Sequence, residues 1–439
     1  MAISKNNTLN AWLWKWHVIA GLLTLPVILM LSITGTIYLF KDDVNKAVYQ
    51  EQLVASTFND DTAMAALNRA KVLPLSTQLH NASRATDKKV ASITLPKTSE
   101  DTTIFSLAGK GRAKNNLYVD PYTGEVKGEI DRKETFMYTI RKLHGELLLG
   151  TFGTLVVELF ASWFIVLILT GLYVWWPREG QGISGMFLVR FNRSKRILYR
   201  DIHAVLGFWL SVFMLIIVAG AMPWTEVFGT QLKWVQQQTE SGYPTHWRSG
   251  KGIQSHQPKD TNTPRLSIDA VHHLVSSIDL QGQVTIQLPT SPTGVYKITN
   301  RAFYTENQQV IYLDQYTGTV VKRLTWDDVG ILMDMRQVFM RLHEGQYGLV
   351  NWSILLLVAI LFTFSSIAGF ISYLMRKPKG QWGIPAVPAK FHVDKALLGI
   401  IVCLGIVFPM FGSSVVLIYI ASLTKTLLTK LGIHGKEAK

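Results

Sequence analysis

The chain has 439 residues, of which 48% are apolar, and a formal charge of +14 at pH 7. Length alone would accommodate two or three soluble domains, but the apolar residues are gathered into long blocks, which excludes an ordinary soluble fold. The positive charge lies chiefly between those blocks, which argues against a nucleic-acid partner, and the single cysteine, Cys403, excludes a disulfide framework, Cys-ligated zinc or an iron–sulfur cluster within one chain.

A hydrocarbon core of about 30 Å needs roughly 20 helical residues, and five blocks reach or approach that length: 17–40, 151–176, 202–224, 349–375 and 397–423. The first is too long for a signal-peptide core and lacks a small-x-small cleavage pattern after Thr34-Gly35-Thr36-Ile37, so it reads as a retained signal anchor. A long loop, 41–150, follows it. The connection 177–201 carries Arg178, Arg190, Arg193, Lys195, Arg196 and Arg200 against Glu179 and Asp201, and the connection 376–396 carries Arg376, Lys377, Lys379 and Lys390. By the positive-inside rule both connections are cytoplasmic, which places the N-terminus inside and the long loops 41–150 and 225–348 outside. Five complete spans would leave Lys425, Lys430, Lys436 and Lys439 of the tail, 424–439, on the wrong side. Pro409 and Phe411-Gly412-Ser413-Ser414 leave two readings of the last block open, a fifth span or a kinked or re-entrant segment. Trp12, Trp14, Trp16, Trp175, Trp176, Trp224 and Trp352 crowd the span ends as interfacial anchors.

Each long loop alternates as a small domain of helix and strands. The first is expected to hold a helix over 63–72 and strands over 90–95, 103–107, 116–119 and 125–130. The second holds a helix over 268–278 and strands over 283–288, 295–299, 309–313 and 319–324, after a Gly, Ser, Pro and Thr-rich loop at 243–265. Tyr-Thr-Gly supplies the turn between the last two strands in each.

The second half restates the first. Trp16-His17-Val18-Ile19-Ala20-Gly21 returns as Ile202-His203-Ala204-Val205-Leu206-Gly207, and Thr34-Gly35 returns as Ala219-Gly220. Tyr118-Val119-Asp120-Pro121-Tyr122-Thr123-Gly124 returns as Tyr312-Leu313-Asp314-Gln315-Tyr316-Thr317-Gly318, and Arg141-Lys142-Leu143-His144-Gly145-Glu146 as Met340-Arg341-Leu342-His343-Glu344-Gly345. Both copies start on the same side, so the repeat is parallel, with equivalent residues facing each other across an axis along the membrane normal. The expected architecture is an α-helical integral membrane protein: a duplicated helix–domain–helix unit with two α+β extracytoplasmic domains, a four-helix core and an additional C-terminal hydrophobic segment.

Of eleven histidines, four fall at matched positions: His17 and His203 at the inner ends of the first and third spans, His144 and His343 at the outer ends of the second and fourth. A span rises about 30 Å, so an inner histidine cannot share one metal with an outer one, whereas within each pair the axis makes the two imidazoles equivalent. Two imidazoles meeting across an axis are what bis-histidine ligation of a b-type haem requires, and two pairs give two haems. Zinc or copper would need further ligands at the same depth, and Glu146 and Glu344 follow their histidines at different offsets. No Cys-x-x-Cys-His sequence exists for covalent attachment. Gly21 and Gly207, four residues after the inner histidines, either make room for a porphyrin or serve ordinary helix packing. His272 and His273 lie on the second soluble helix, whose first-half counterpart is expected to lack histidine, and His80, His246, His256 and His434 fall in loops or the tail. His392 lies near the start of the last block and has no repeat partner.

Trp-His-x-x-x-Gly opening a span, Asp-Pro-Tyr-Thr-Gly-Glu-Val in the loop, Leu-His-Gly before the next span and Thr170-Gly171-Leu172-Tyr173-Val174-Trp175-Trp176-Pro177-Arg178 closing it resemble the PepSY-associated transmembrane family over about residues 10–378. That family includes iron-regulated inner-membrane proteins and siderophore-iron reductases of the ferrioxamine-reductase type. The resemblance implies two periplasmic PepSY domains, a bacterial inner-membrane location, two b-type haems and reduction of a ferric siderophore. Carried across residue by residue, it places the haem ligands at His17, His203, His144 and His343. Lys395 stands where a histidine would open a third such span, so no third haem site is expected, and no Gly-rich nucleotide signature is present, so electrons come from a separate donor. The alternatives are a PepSY-domain sensor or binding protein without redox activity, or a transporter; Glu158 is the only acidic residue inside the spans, which weakens transport.

Overall fold

A computed structural model describes residues 5–56, 71–109, 115–177, 185–256, 263–387 and 391–430. Its helices are α1 (Lys5–Leu39), α2 (Lys41–Val48), α3 (Gln50–Leu53), α4 (Leu75–Arg84), α5 (Phe136–Glu146), α6 (Gly150–Trp175), α7 (Lys195–Ala221), α8 (Val227–Gln238), α9 (Ile268–Ser276), α10 (Ile331–His343), α11 (Gly348–Arg376), α12 (Lys395–Val407) and α13 (Pro409–Lys430). The strands are β1 (Val90–Thr94), β2 (Thr103–Leu107), β3 (Asn115–Val119), β4 (Val126–Asp131), β5 (Gln283–Gln287), β6 (Val295–Arg301), β7 (Val310–Asp314) and β8 (Val320–Leu324). They form two compact units, a helical one of Met1–Leu39, Arg141–Trp234 and Phe339–Lys439, and an α/β one of Phe40–Ile140 and Val235–Val338.

In the helical unit α1, α6, α7 and α11 are each long and apolar enough to cross a bilayer, as is α13. α1 packs on α6 and α11, and α7 packs on α11 and α6, which closes a ring of four helices. With lipid as apolar as leucine, such contacts rest on close packing and hydrogen bonds between helices. Phe164 meets Phe362 edge to face at 5.3 Å, and Ser32 of α1 donates to the Ala359 carbonyl of α11 at 3.2 Å. Glu158, fully buried on α6, accepts the backbone N–H groups of Val227 and Phe228, each at 2.8 Å. It therefore satisfies two unpaired donors at the start of α8, where the helix dipole favours negative charge, and needs no transport role to account for it.

The last hydrophobic block divides at Phe408. Thirteen residues of α12 rise only about 20 Å, too little to span. Gly405 and Gly412 then approach so closely that a Cβ on Gly412 would lie 2.6 Å from the Gly405 carbonyl oxygen, which a continuous helix would not allow. The chain reverses here, with Phe408 stacked on Phe228 at 5.8 Å, and α13 runs back along α6, where Phe411 meets Trp163 at 4.9 Å and Ser414 Oγ accepts from its Nε1 at 3.0 Å.

In the α/β unit the two long loops do not make separate sheets. They share one, in the order β4-β3-β2-β1-β5-β6-β7-β8, antiparallel throughout. The strand edges that two independent domains would expose are paired with each other. At the junction Ile93 faces Ile286, with Ser92 opposite Gln287 and Thr94 opposite Thr285, so the order and register are alike on either side of the β1–β5 seam. Ile93, Phe105, Leu117, Val119, Ile286, Ile298, Ile311 and Leu313 alternate onto one buried face, which α4 and α9 cover with Leu75, Ala82, Val271 and Val275. The helix that matches α9 in the first half is α4, not the expected 63–72, whose residues 63–70 lie outside the described residues. Its N–H at Ser76 donates to Asp269 of α9 at 2.9 Å. His80, expected in a loop, therefore sits exposed on α4, as His273 sits exposed on α9.

The Asp-x-Tyr-Thr-Gly motif is explained by these turns. Asp120 accepts the N–H groups of Tyr122 and Thr123 through Oδ1 and that of Ser56 through Oδ2; Asp314 does the same for Tyr316, Thr317 and His256. Gly124 and Gly318 follow at φ +73°, the left-handed conformation that favours glycine. Burial acts to raise the Asp314 pKa, but the N–H groups of Thr317, Tyr316 and His256 outweigh it and lower it. Each aspartate thus pins an incoming loop to its hairpin, and losing it would leave three donors unpaired at about 1–3 kcal/mol for each that stays buried.

Candidate functional site

The four repeat-matched histidines converge in pairs inside the helical unit. His17 on α1 and His203 on α7 have ring centres 6.4 Å apart, with planes crossed at 58°. His144, near the end of α5, and His343, at the end of α10, have ring centres 6.1 Å apart, with planes crossed at 62°. An imidazole nitrogen bonds a first-row metal at about 2 Å and lies about 1.1 Å from its ring centre, so two rings on opposite sides of one metal have centres roughly 6 Å apart. Both pairs have that spacing.

Hydrogen bonding fixes which nitrogen each ring can offer. Thr170 Oγ1 donates to the Val166 carbonyl at 2.8 Å, so it receives the Nδ1–H of His17 at 3.0 Å. Thr34 Oγ1 donates to the Met30 carbonyl at 2.7 Å and receives the Nδ1–H of His144 at 3.0 Å. His203 donates Nδ1–H to the Ser365 carbonyl at 3.0 Å and His343 to the Ile217 carbonyl at 2.8 Å. A carbonyl can only accept, so in all four rings the proton sits on Nδ1 and Nε2 keeps its lone pair. Orientation of a metal-binding imidazole through its other nitrogen has this form. Removal from water, reinforced by the facing His343, holds the His144 imidazole down at about 4, and removal from water lowers that of His343 as well. Both are neutral at pH 7, the form that donates a lone pair.

A glycine on a neighbouring helix presses against each of the four histidines. A Cβ on Gly171 would lie 3.0 Å from His17 Cε1, and one on Gly369 2.8 Å from His203 Nδ1. A Cβ on Gly35 would lie 3.3 Å from His144 Cε1, and one on Gly220 2.8 Å from His343 Cβ. Thr34-Gly35, Ala219-Gly220 and Thr170-Gly171 are landmarks of the sequence, but neither they nor Gly369 are assigned from it to the histidine site. The signal was a dipeptide: Thr34-Gly35 and Thr170-Gly171 in the first half, Ala219-Gly220 and Ala368-Gly369 in the second. Where alanine replaces the threonine, a backbone carbonyl takes over as acceptor. Gly21 and Gly207 behave differently, since a Cβ on Gly207 would meet nothing within 4 Å and one on Gly21 only Leu167 at 3.9 Å. Both border open space.

That space is a cavity of about 520 Å³ between α1, α6, α7 and α11, lined by His17, His203 and mainly apolar side chains. Its volume falls within the roughly 300–1,000 Å³ typical of cofactor clefts. A flat, apolar group carrying its own metal fits this donor set: two imidazoles at that spacing whose Nδ1 atoms are engaged elsewhere, and room beside Gly21 and Gly207. Among the described residues no group of three or more His, Cys, Asp or Glu side chains could hold a bare ion. Glu146 pairs with Lys142, and Glu344 accepts from Gln346. His392, His272, His273, His80, His246 and His256 join neither pair, and His434 lies outside the described residues.

No match is found among curated proteins. The family model for the PepSY-associated TM region matches residues 14–386, which takes in all four histidines, both halves of the sheet and the four-helix ring. With those features and that match over most of its length, the chain belongs to the PepSY-associated transmembrane family.

Proposed function

We propose that this protein is a di-haem b reductase of the bacterial inner membrane, built from two copies of one helix–PepSY–helix unit, which delivers electrons to the periplasm and reduces ferric iron held by a siderophore. The observation that carries the reading is the pair of imidazole couples, spaced 6.4 and 6.1 Å and each offering Nε2. Bound there, b-type haem would supply one-electron redox chemistry. His17 and His203 would ligate one, His144 and His343 the other. The chain's own part is to orient the rings through Thr170, Thr34 and the Ser365 and Ile217 carbonyls, to keep space clear at Gly21 and Gly207, and to exclude water with the apolar walls of the bundle. The near-symmetric sheet, in which Ile93 meets Ile286, supports the two-copy reading. Hard oxygen ligands prefer Fe(III), so one-electron reduction to Fe(II) favours release of the iron.

The proposal is tested on detergent-purified protein reduced under anaerobic conditions and mixed with a ferric trihydroxamate. The expected result is loss of the reduced-haem bands with one Fe(II), trapped by a ferrous chelator, appearing per electron lost. Haem that stays reduced in the presence of excess ferric chelate would remove ferric siderophores as the substrate.

A further inference from the structure

The mouth of the His17–His203 cavity holds more positive charge than its carboxylates neutralise. Arg196, Arg200 and Arg376 all line the cavity. Asp201, fully buried, is already engaged: Arg190 binds it through Nε at 2.7 Å and Nη2 at 3.0 Å, and Arg200 through Nη2 at 2.8 Å. Neither Arg196 nor Arg376 has an ion-pair partner among the described residues. Arg376 is held over the Trp14 ring at 4.8 Å and the Tyr373 ring at 5.9 Å, and its Nη2, enclosed from solvent, has no hydrogen-bond partner. Arg196 adds a second positive charge in its neighbourhood. A buried guanidinium donor left unpaired beside another cation is costly, and a carboxylate bound by both would relieve the cost.

The positions suit a group ligated between the two imidazoles. Arg376 follows Gly369, the glycine against His203, by seven residues, and Arg196 precedes His203 by seven. At 1.5 Å per residue both lie about 10 Å along their helices toward the same end, a distance that an arginine side chain and a short carboxylate arm bridge together. We infer that Arg376 and Arg196 bind the propionate carboxylates of a porphyrin held by His17 and His203. This inference rests on the di-haem reading and assigns that haem's orientation: its propionates face the end of the bundle where α11 stops and α7 begins.

The test is a potentiometric titration of the purified full-length chain, with haem absorbance as the readout. A ferric haem carries one more positive charge than a ferrous one, so a neighbouring fixed cation favours the reduced form. Arg376→Gln is expected to lower the midpoint potential of one haem component and leave the other in place. The shifted component should be the one absent from His17→Ala. Arg376→Lys, which keeps the charge, should stay closer to the wild type than Arg376→Gln, and Arg196→Gln should shift the same component by a smaller amount. The inference is overturned if both components of Arg376→Gln keep their wild-type potentials, if the moving component is the one lost from His144→Ala, or if Arg376→Lys falls no closer to the wild type than Arg376→Gln. It is also overturned if Arg376→Gln leaves both potentials in place and instead loses co-purifying phosphatidylglycerol, which would make the arginines a lipid-phosphate site. In each of these cases two haems and the loss of one in His17→Ala leave the di-haem reading standing, whereas a wild-type protein without haem fails both.

Discussion

Replacing His17 with alanine should remove one haem per chain and leave a spectrum contributed by the other alone, and replacing His144 should remove the complementary one. In the proposed reading each change deletes one of the two imidazole nitrogens that would hold one haem iron. The surviving imidazole cannot hold a low-spin, six-coordinate iron by itself, and the described residues offer no third His, Cys, Asp or Glu to take the vacant position. His17→Ala and His203→Ala should therefore give matching spectra, since each breaks the same couple, and His144→Ala should match His343→Ala. The check is haem quantified per chain together with a reduced-minus-oxidised spectrum. A His17→Ala protein that keeps both haems would refute the ligand assignment. Retention of haem by His392→Ala, His272→Ala and His273→Ala is expected, because those rings join neither couple.

Gly369→Leu should have an effect almost as large without touching a ligand. Its Cβ would arrive 2.8 Å from His203 Nδ1 and 2.9 Å from Cγ, closer than any ordinary contact, so the ring must move off the Ser365 carbonyl that orients it. Overpacking of this kind costs about 1–3 kcal/mol, and a shift of the order of an ångström misplaces a ligand that must lie within about 0.5 Å of its productive position. Loss of more than half of the haem bound by His17 and His203 is expected, with the other haem unchanged. Gly399→Leu is the matched control, because a Cβ there meets nothing within 4 Å. Equal haem content in the two variants would show that Gly369 has no part in shaping the site.

Much of this was legible in the sequence for physical reasons. A bilayer forces long apolar runs, so the four core helices stood out, and a charged or imidazole side chain near such a run recurring at a matched position is costly to keep without use. His17, His203, His144 and His343 were therefore identified together, and the structure places them in the pairs that the repeat implied. The partners of those rings were harder to see. Thr34 and Thr170 look like ordinary small residues of membrane helices, and Gly171 and Gly369 like ordinary packing glycines, until the rings they touch are in place. The shared sheet was hidden because alternation reveals a strand's faces but not the neighbour at its edge, and nothing in Val90–Thr94 or Gln283–Gln287 marks them as partners. The helix at Leu75–Arg84 was missed because the alanines at 63, 65, 66 and 70 have the stronger intrinsic helix propensity, whereas α4 is held by burying Leu75, Gln78 and Ala82 in the shared core.

The account as a whole depends on two couples of imidazoles, each couple gripping one iron porphyrin, and the most direct measurement is the haem content of the wild-type protein purified in detergent. It should contain two b-type haems per chain, both low-spin in the oxidised and reduced states because both axial positions are taken by histidine. Protein that folds with its helical content intact yet binds no haem when expressed with ample haem supply would contradict the account.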